Sequence, residues 1–446
     1  MNEKKLLKYG KDLVASALKA GATDAQAHVS AGDSEEVRVR NGSVELVSRE
    51  SGVSLSLYVL VGKREGSSSC ESLSASDILR TAAEAVAIAK VSTENPFASI
   101  AKANMWPCPL GAMGEKERAL DRVDDSGRSS IKQLTKEALD LDQLLLDQEG
   151  VSKTEIVQVS QSRSMGALCN SAGFLAAKES TSFGRYASAV AEAKDGEMHS
   201  GGDGDGAIYL ADLRSAEECA QRAAYRARSL LGAKPIPTAR MPVIFDRDIS
   251  PSLLQVLYAA IRGGAVYDKS TFLLGKIGAP IFRRGVYIIE DPFIPRGMKS
   301  RLCDSETVRA GRYAIINDGV LTMWTTTIES GAKLKLTSTG HANGPSNVVM
   351  YRGMQTKEQM ISGITRGLLV TELMGHGPNI VTGDYSAGAA GILIEHGELT
   401  RPVNEVTIAG NLLEMFRTLT PASDMSENSG TNAPSCLVDE MTVAGS

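Results

Sequence analysis

The sequence predicts an α+β protein in three parts, with antiparallel sheets and flanking helices, the C-terminal part being a large, mostly antiparallel sheet. Three observations predict it. Apolar and polar residues alternate on both sides of Asn41-Gly42, the strongest short signal for a β-hairpin. Helical periods stop on glycine at Gly21 and Gly232. Proline marks the joints, from Pro96 to Pro109 and again at Pro235 and Pro237, which divides the chain into residues 1–105, 106–235 and 236–446.

Leu6, Leu13, Val14, Ala17 and Leu18 form one face of an opening helix. The hairpin Glu36 to Val47 follows, then a third strand from Val53 to Val61, then an alanine-rich helix from about Ser76 to Lys90. Pro96 to Gly114 is irregular and reads as a surface linker. Leu120 to Glu149 is mostly helical with a break near Gly127. Its run Leu139 to Glu149 is expected to bury leucines and leave its aspartates in water. Glu155 to Ala193 alternates serine and threonine with apolar residues, as on a half-exposed antiparallel sheet, with a turn at Asn170 to Gly173. The glycine-rich run Gly201 to Gly206 reads as a hairpin tip, and Ala216 to Leu231 as a helix.

The third part opens with a strand at Pro242 to Phe245. Ser250 and Pro251 then start a helix, the hydroxyl as cap and the proline at the first helical position. Leu253, Leu254, Leu257 and Ile261 fall at helical spacing, and Gly263-Gly264 is expected to stop the run. Further strands are expected at Gly285 to Pro292, Val406 to Ile408 and Cys436 to Val443. Two tight hairpins, around Asn317 to Gly319 and His396-Gly397, are expected in one antiparallel sheet. Lys357 to Leu373 mixes helix and strand character, Leu412 to Thr418 is a short helix, and Pro421 to Ser435 reads as a mobile loop.

Composition excludes several classes of function. The chain has 446 residues, long enough for two to four domains, and a net charge of −5. No block of lysine and arginine suggests a nucleic-acid partner. No apolar run suggests a membrane span, and the charged amphipathic start is not a signal peptide, so a cytoplasmic location is expected. The six cysteines are scattered without a CxxC pair and read as reduced, partly buried residues.

Five histidines are present, none paired on a helix at metal-ligand spacing. His28, His199 and His396 read as structural or solvated. His341 and His376 sit in glycine-rich loops of the third part and are the histidines expected to face a substrate groove. Gly383 to Gly388 holds Ser386, but Asp384 stands where a nucleophile elbow needs glycine, so serine hydrolysis is disfavoured. Asp384 also fits a loop-capping carboxylate.

Six phrases, in order, carry a resemblance: Val37–Val47, Lys178–Phe183, Pro242–Asp246, Val381–Glu398, Glu405–Asn411 and Leu437–Gly445. Together they span the chain from about Leu13 to Gly445, and the sequence resembles the TldD/PmbA (TldE) family of peptidases, in its PmbA/TldE branch. In the TldD branch, the helix matching Pro251 to Gly263 bears an HExxxH metal motif. Aligning on Leu253-Leu254 puts Gln255, Val256 and Ala260 at those places. Valine and alanine have no lone pair to give a metal, and glutamine is a poor zinc ligand. The TldD branch also uses a C-terminal cysteine, but Cys436 lies too near the chain's end to match and reads as a core strand residue.

The resemblance therefore implies a non-catalytic subunit with no metal of its own. It would pair with a TldD-like chain supplying zinc and the general base, and form one wall of a chamber for unfolded or extended peptides. It also implies that Asp384, Tyr385 and Ser386 shape the floor of a cleft, where glycines admit an extended peptide. The alternative is a stand-alone homodimer that binds peptides or a partner without catalysis.

Overall fold

The computed structural model describes residues 1–375, 377–425 and 429–445. The first half of the chain contains α1 (Glu3–Ala20), β1 (Asp24–Arg40), β2 (Ser43–Val61), β3 (Arg64–Cys70), α2 (Ala75–Val91), α3 (Met113–Ala119), α4 (Ile131–Leu146), β4 (Val151–Asn170), β5 (Leu175–Glu192), β6 (Met198–Ala207) and α5 (Ala216–Ser229). Its strands form one antiparallel sheet in the order β3-β2-β1-β4-β5-β6. Strands from both sides of residue 105 thus share a single ladder. The expected third strand, Val53 to Val61, is the second half of β2, which runs on without a break.

The strands are long because two pairs of helices cover them. β4 has 20 residues, which corresponds to roughly 65 Å of extended chain. Near one end, α1 and α2 pack on Ala25, Ala27 and Val29. Near the other, α4 and α5 pack on Val37 and Val39. These β1 positions share one parity, so both helix pairs cover the same face. The opposite face meets the C-terminal half, where Phe174 and Ala176 pack against Leu302 and Cys303.

Asn41-Gly42 is the expected turn, with φ of 48° and 75°. Its free amide corrects the reading of the α4 aspartates. Asp142 is only 1% exposed. It accepts from Gly42 N (2.6 Å) and Thr154 Oγ1 (2.6 Å), so a distant turn recruits a residue that local pattern assigns to solvent. The run Gly201 to Gly206 is likewise no hairpin tip but the body of β6. A Cβ at Gly201 would lie 2.1 Å from Ala227 N, so glycine there lets α5 lie directly on the strand. Asp203, between these glycines, is 2% exposed and binds Arg214 (2.7 Å), Arg222 (3.2 Å) and Arg226 (3.2 Å). Arg222 and Arg226 also hold Asp248, which joins the first sheet's helix layer to the C-terminal half.

That half contains β7 (Ala239–Phe245), α6 (Pro251–Ala260), α7 (Gly263–Tyr267), β8 (Ile288–Asp291), β9 (Tyr313–Asn317), β10 (Val320–Leu321), α8 (Ile328–Leu334), β11 (Asn347–Met350), α9 (Lys357–Ser362), β12 (Arg366–Met374), β13 (Asp384–Glu395), β14 (Glu398–Asn411), α10 (Leu412–Thr418), β15 (Thr420–Pro421), β16 (Thr431–Asn432) and β17 (Cys436–Ala444). One sheet runs β10-β9-β8-β11-β16 and the other β14-β13-β12-β7-β17-β15. A further β14–β17 pairing closes the second sheet on itself. Pairing is antiparallel except between β7 and β12 and between β11 and β16. The two expected hairpins exist, with positive φ at Asp318, Gly319, His396 and Gly397, but they lie in different sheets. Their similar sequences encode the same turn geometry and say nothing of which sheet receives it.

The segment Pro421 to Ser435, read as a mobile loop, is anchored where it is described. Ala433 and Ser435 are fully buried, and β16 pairs with β11. Cys436 faces the core as expected. Among the described residues all six cysteines are free thiols, and no helix is long and apolar enough to cross a membrane.

Candidate functional site

Helix α6 is apolar on nearly every side because it lies inside the core. Leu253, Leu254, Leu257, Ala260 and Ile261 are at most 1% exposed. Two details of its ends differ from expectation. Ser250 does not cap the helix; its hydroxyl donates to Pro434 O (2.7 Å), which ties the helix start to the C-terminal segment. The helix ends at Ala260, and Gly263-Gly264 begins α7 instead of forming the stop. A Cβ at Gly263 would meet Ser330 Oγ at 2.7 Å, so close approach of α8 accounts for that glycine.

Gln255, Tyr258 and Ala259 are spaced to share one face of α6, and that face lines a cleft of about 650 Å³. The loop from His341 to Pro345 also lines it, and Arg262, Asp268, Lys299, Glu329 and Lys333 are the charged side chains of the lining. Of the three family metal-motif positions only Gln255 reaches the cleft. Val256 is 9% exposed and Ala260 0%, one turn apart on the face that packs into the core.

Glu290 lies under the cleft and is 2% exposed. It accepts from Tyr258 Oη (2.9 Å), His341 Nε2 (2.9 Å), Ser346 N (2.7 Å) and Ser346 Oγ (2.8 Å). Burial pushes the carboxyl up, but the His341 and Ser346 donors outweigh it and hold it below the ordinary glutamate value. Tyr258 is pushed well above the usual phenol value, by burial and then by the Glu290 charge. An ionised carboxylate only accepts, so His341 Nε2 must carry its proton. Nδ1 is engaged as well, 2.8 Å from Thr339 Oγ1 and 3.0 Å from Thr339 O. Neither ring nitrogen of His341 has a lone pair free for a metal, and all the acceptor capacity of Glu290 is in use.

These residues do not fit a catalytic zinc. Such a site needs three protein ligands drawn from imidazole, thiolate or carboxylate. The cleft offers the Gln255 amide, a histidine committed on both sides and, beneath it, a carboxylate saturated by four donors. Of the carboxylates in its lining, Glu329 is paired with Lys333, and Asp268 stands in no group of three ligands among the described residues. Among the described residues no group of three histidine, cysteine, aspartate or glutamate side chains is placed to hold a metal ion.

The other residues singled out in the sequence lie apart from this cleft. Tyr385 is 4% exposed and packs edge-on against Phe245 in the core. Asp384 and Ser386 are exposed at the start of β13, where Thr382 Oγ1 donates to the Asp384 carboxylate at 2.6 Å. None of the three is among the residues that line the cleft around Gln255. His376 lies outside the described residues. Tyr258, Glu290 and Ser346 escaped sequence reasoning. One signal was present: Glu290 shares the inward parity of Ile288 on a short strand, an unusual place for a carboxylate.

Comparison with known proteins places the whole chain. Residues 28–89 match the PmbA/TldA metallopeptidase domain 1, residues 122–231 the central domain, and residues 238–445 the C-terminal domain. The chain is 35% identical to the metalloprotease PmbA of Escherichia coli O157:H7 over 430 residues, covering 96% of this chain and 94% of that one. It is 31% identical to a metalloprotease PmbA homolog of Haemophilus influenzae, covering 96% and 94%. The crystal structure of TldE from Thermococcus kodakarensis has the same fold, with a TM-score of 0.84 at 19% identity, covering 98% of this chain and 100% of that one.

Proposed function

The chain belongs to the PmbA/TldD metallopeptidase family, and on that premise we propose that it is a non-catalytic subunit of a peptidase complex. It pairs with a TldD-like chain that carries HExxxH, zinc and the general base, and its own cleft helps to hold unfolded or extended peptides. One observation carries the reading: where a catalytic chain carries the two histidines and the glutamate of HExxxH, this one has Gln255, Val256 and Ala260, two of them turned into the core. His341, whose imidazole lines the same cleft, is bound on both nitrogens.

Mixing the purified chain with a TldD-like chain tests the reading. A one-to-one complex is expected, with chelator-sensitive peptide cleavage only when both chains are present. Chelator-sensitive cleavage by this chain alone would overturn it. Failure to bind the TldD-like chain, with a stable homodimer that takes up peptides, would favour a stand-alone binding protein.

A further inference from the structure

Lys299 is fixed in the cleft wall at three points. Its backbone N–H donates to Asn347 Oδ1 (2.9 Å), and its ammonium donates to Thr431 Oγ1 (3.1 Å). Its stem fills the space beside Gly430, where a Cβ would come within 2.5 Å of Lys299 Cγ and Cδ. Pinning a lysine in this way removes most of its rotamer freedom. Yet among the described residues it has no carboxylate partner; the ammonium meets only a hydroxyl.

Its surroundings add positive charge. Arg262 lines the same cleft and, among the described residues, is not ion-paired. Arg301 stands behind the wall, donating to Gly344 O, with its Nε buried and unpartnered. Burial first, and then the Arg301 charge, hold the Lys299 ammonium below the usual lysine range. No acid of the cleft reaches Lys299 as a contact ion pair among the described residues. Asp268 also lines the cleft, and Glu329 is paired with Lys333 at 2.6 Å. The Glu290 charge beneath acts on Lys299 and Arg301 from a distance while its oxygens are taken by four donors. A fixed cation in a concave site, with no carboxylate in contact, attracts an anion.

We propose that Lys299 and Arg262, backed by Arg301, form a carboxylate-binding subsite in this cleft, and that its ligand is a carboxylate of a bound peptide. The inference rests on the peptide-holding reading above and specifies what that cleft selects. Two sources share the chemistry: the terminal α-carboxylate and an aspartate or glutamate side chain. Lys299 supplies a fixed point charge, and Arg262 a planar donor fork suited to two oxygens.

Three fluorescent alanine-serine octapeptides test it: a free C-terminal acid, the C-terminal amide, and the amide with one internal aspartate. Binding is read by polarisation on the full chain, alone and in the reconstituted complex. The acid or the aspartate peptide is expected to bind about tenfold or more tighter than the neutral amide, the size of a charge-assisted contact. Whichever leads identifies the source. K299M should abolish that preference, Lys299→Arg should restore it, and R262Q should weaken it. An unchanged melting temperature in K299M shows that the fold is intact. Equal binding of all three peptides would overturn the subsite and leave the peptide-holding reading standing. Binding of none would overturn both.

Discussion

Replacing Glu290 by alanine is expected to destabilise the C-terminal half by about 3–5 kcal/mol at neutral pH, read from the urea midpoint. The residue is 2% exposed and accepts four hydrogen bonds. Without it, the Tyr258 and Ser346 hydroxyls, the Ser346 amide and His341 Nε2–H lose their common acceptor in a site that water barely reaches. Each orphaned donor costs about 1–3 kcal/mol before relaxation. Glu290→Gln is expected to cost less, because the amide oxygen still accepts two bonds while its NH₂ confronts other donors. The pH dependence has a definite sign. The folded carboxyl titrates below its unfolded value, so its contribution is fully present above the ordinary glutamate range. It is lost as pH falls through the lowered folded value. Wild type and Glu290→Ala should therefore converge in acid. A variant within about 1 kcal/mol of wild type at neutral pH would show that the network carries little energy.

Asp203→Ala should have an effect of similar size, about 3–5 kcal/mol, for a different reason. Its carboxylate is the shared acceptor of Arg214, Arg222 and Arg226. Removing it leaves three guanidinium groups close together, with Asp205 and Asp248 as the remaining acids. Because Arg222 and Arg226 also grip Asp248 ahead of α6, the damage should cross into the C-terminal half. Hydrogen exchange is expected to quicken in α5 and in the turn before α6 together. Quickening confined to β6 would mean that the ion cluster does not couple the two halves. Asp203→Asn, which keeps the shape and loses the charge, should fall between wild type and alanine.

Local signals in the sequence were read correctly where geometry is local. Asn41-Gly42, Asp318-Gly319 and His396-Gly397 announce their turns because positive φ at both positions excludes most residues. Proline and apolar spacing announce α6 for the same kind of reason. What failed depends on partners far along the chain. The glycines of β6 look like a turn until α5 is laid against them, and Asp142 looks solvated until the hairpin amide arrives. The candidate site divides the same way. Gln255 could be named from the family resemblance and His341 from a glycine-rich loop. Glu290, Tyr258 and Ser346 acquire meaning only as a set, because a buried carboxylate is intelligible through its donors. Lys299 likewise looks like any surface lysine until Gly430 and Thr431 fix it in the wall.

The coordination chemistry at Gln255 is tested most directly by counting metal. The full chain, purified without chelator and dialysed against buffered zinc, should carry only substoichiometric metal, and replacing Gln255 or His341 by alanine should not change that amount. One tightly held zinc ion per chain, lost on either replacement, would contradict the account.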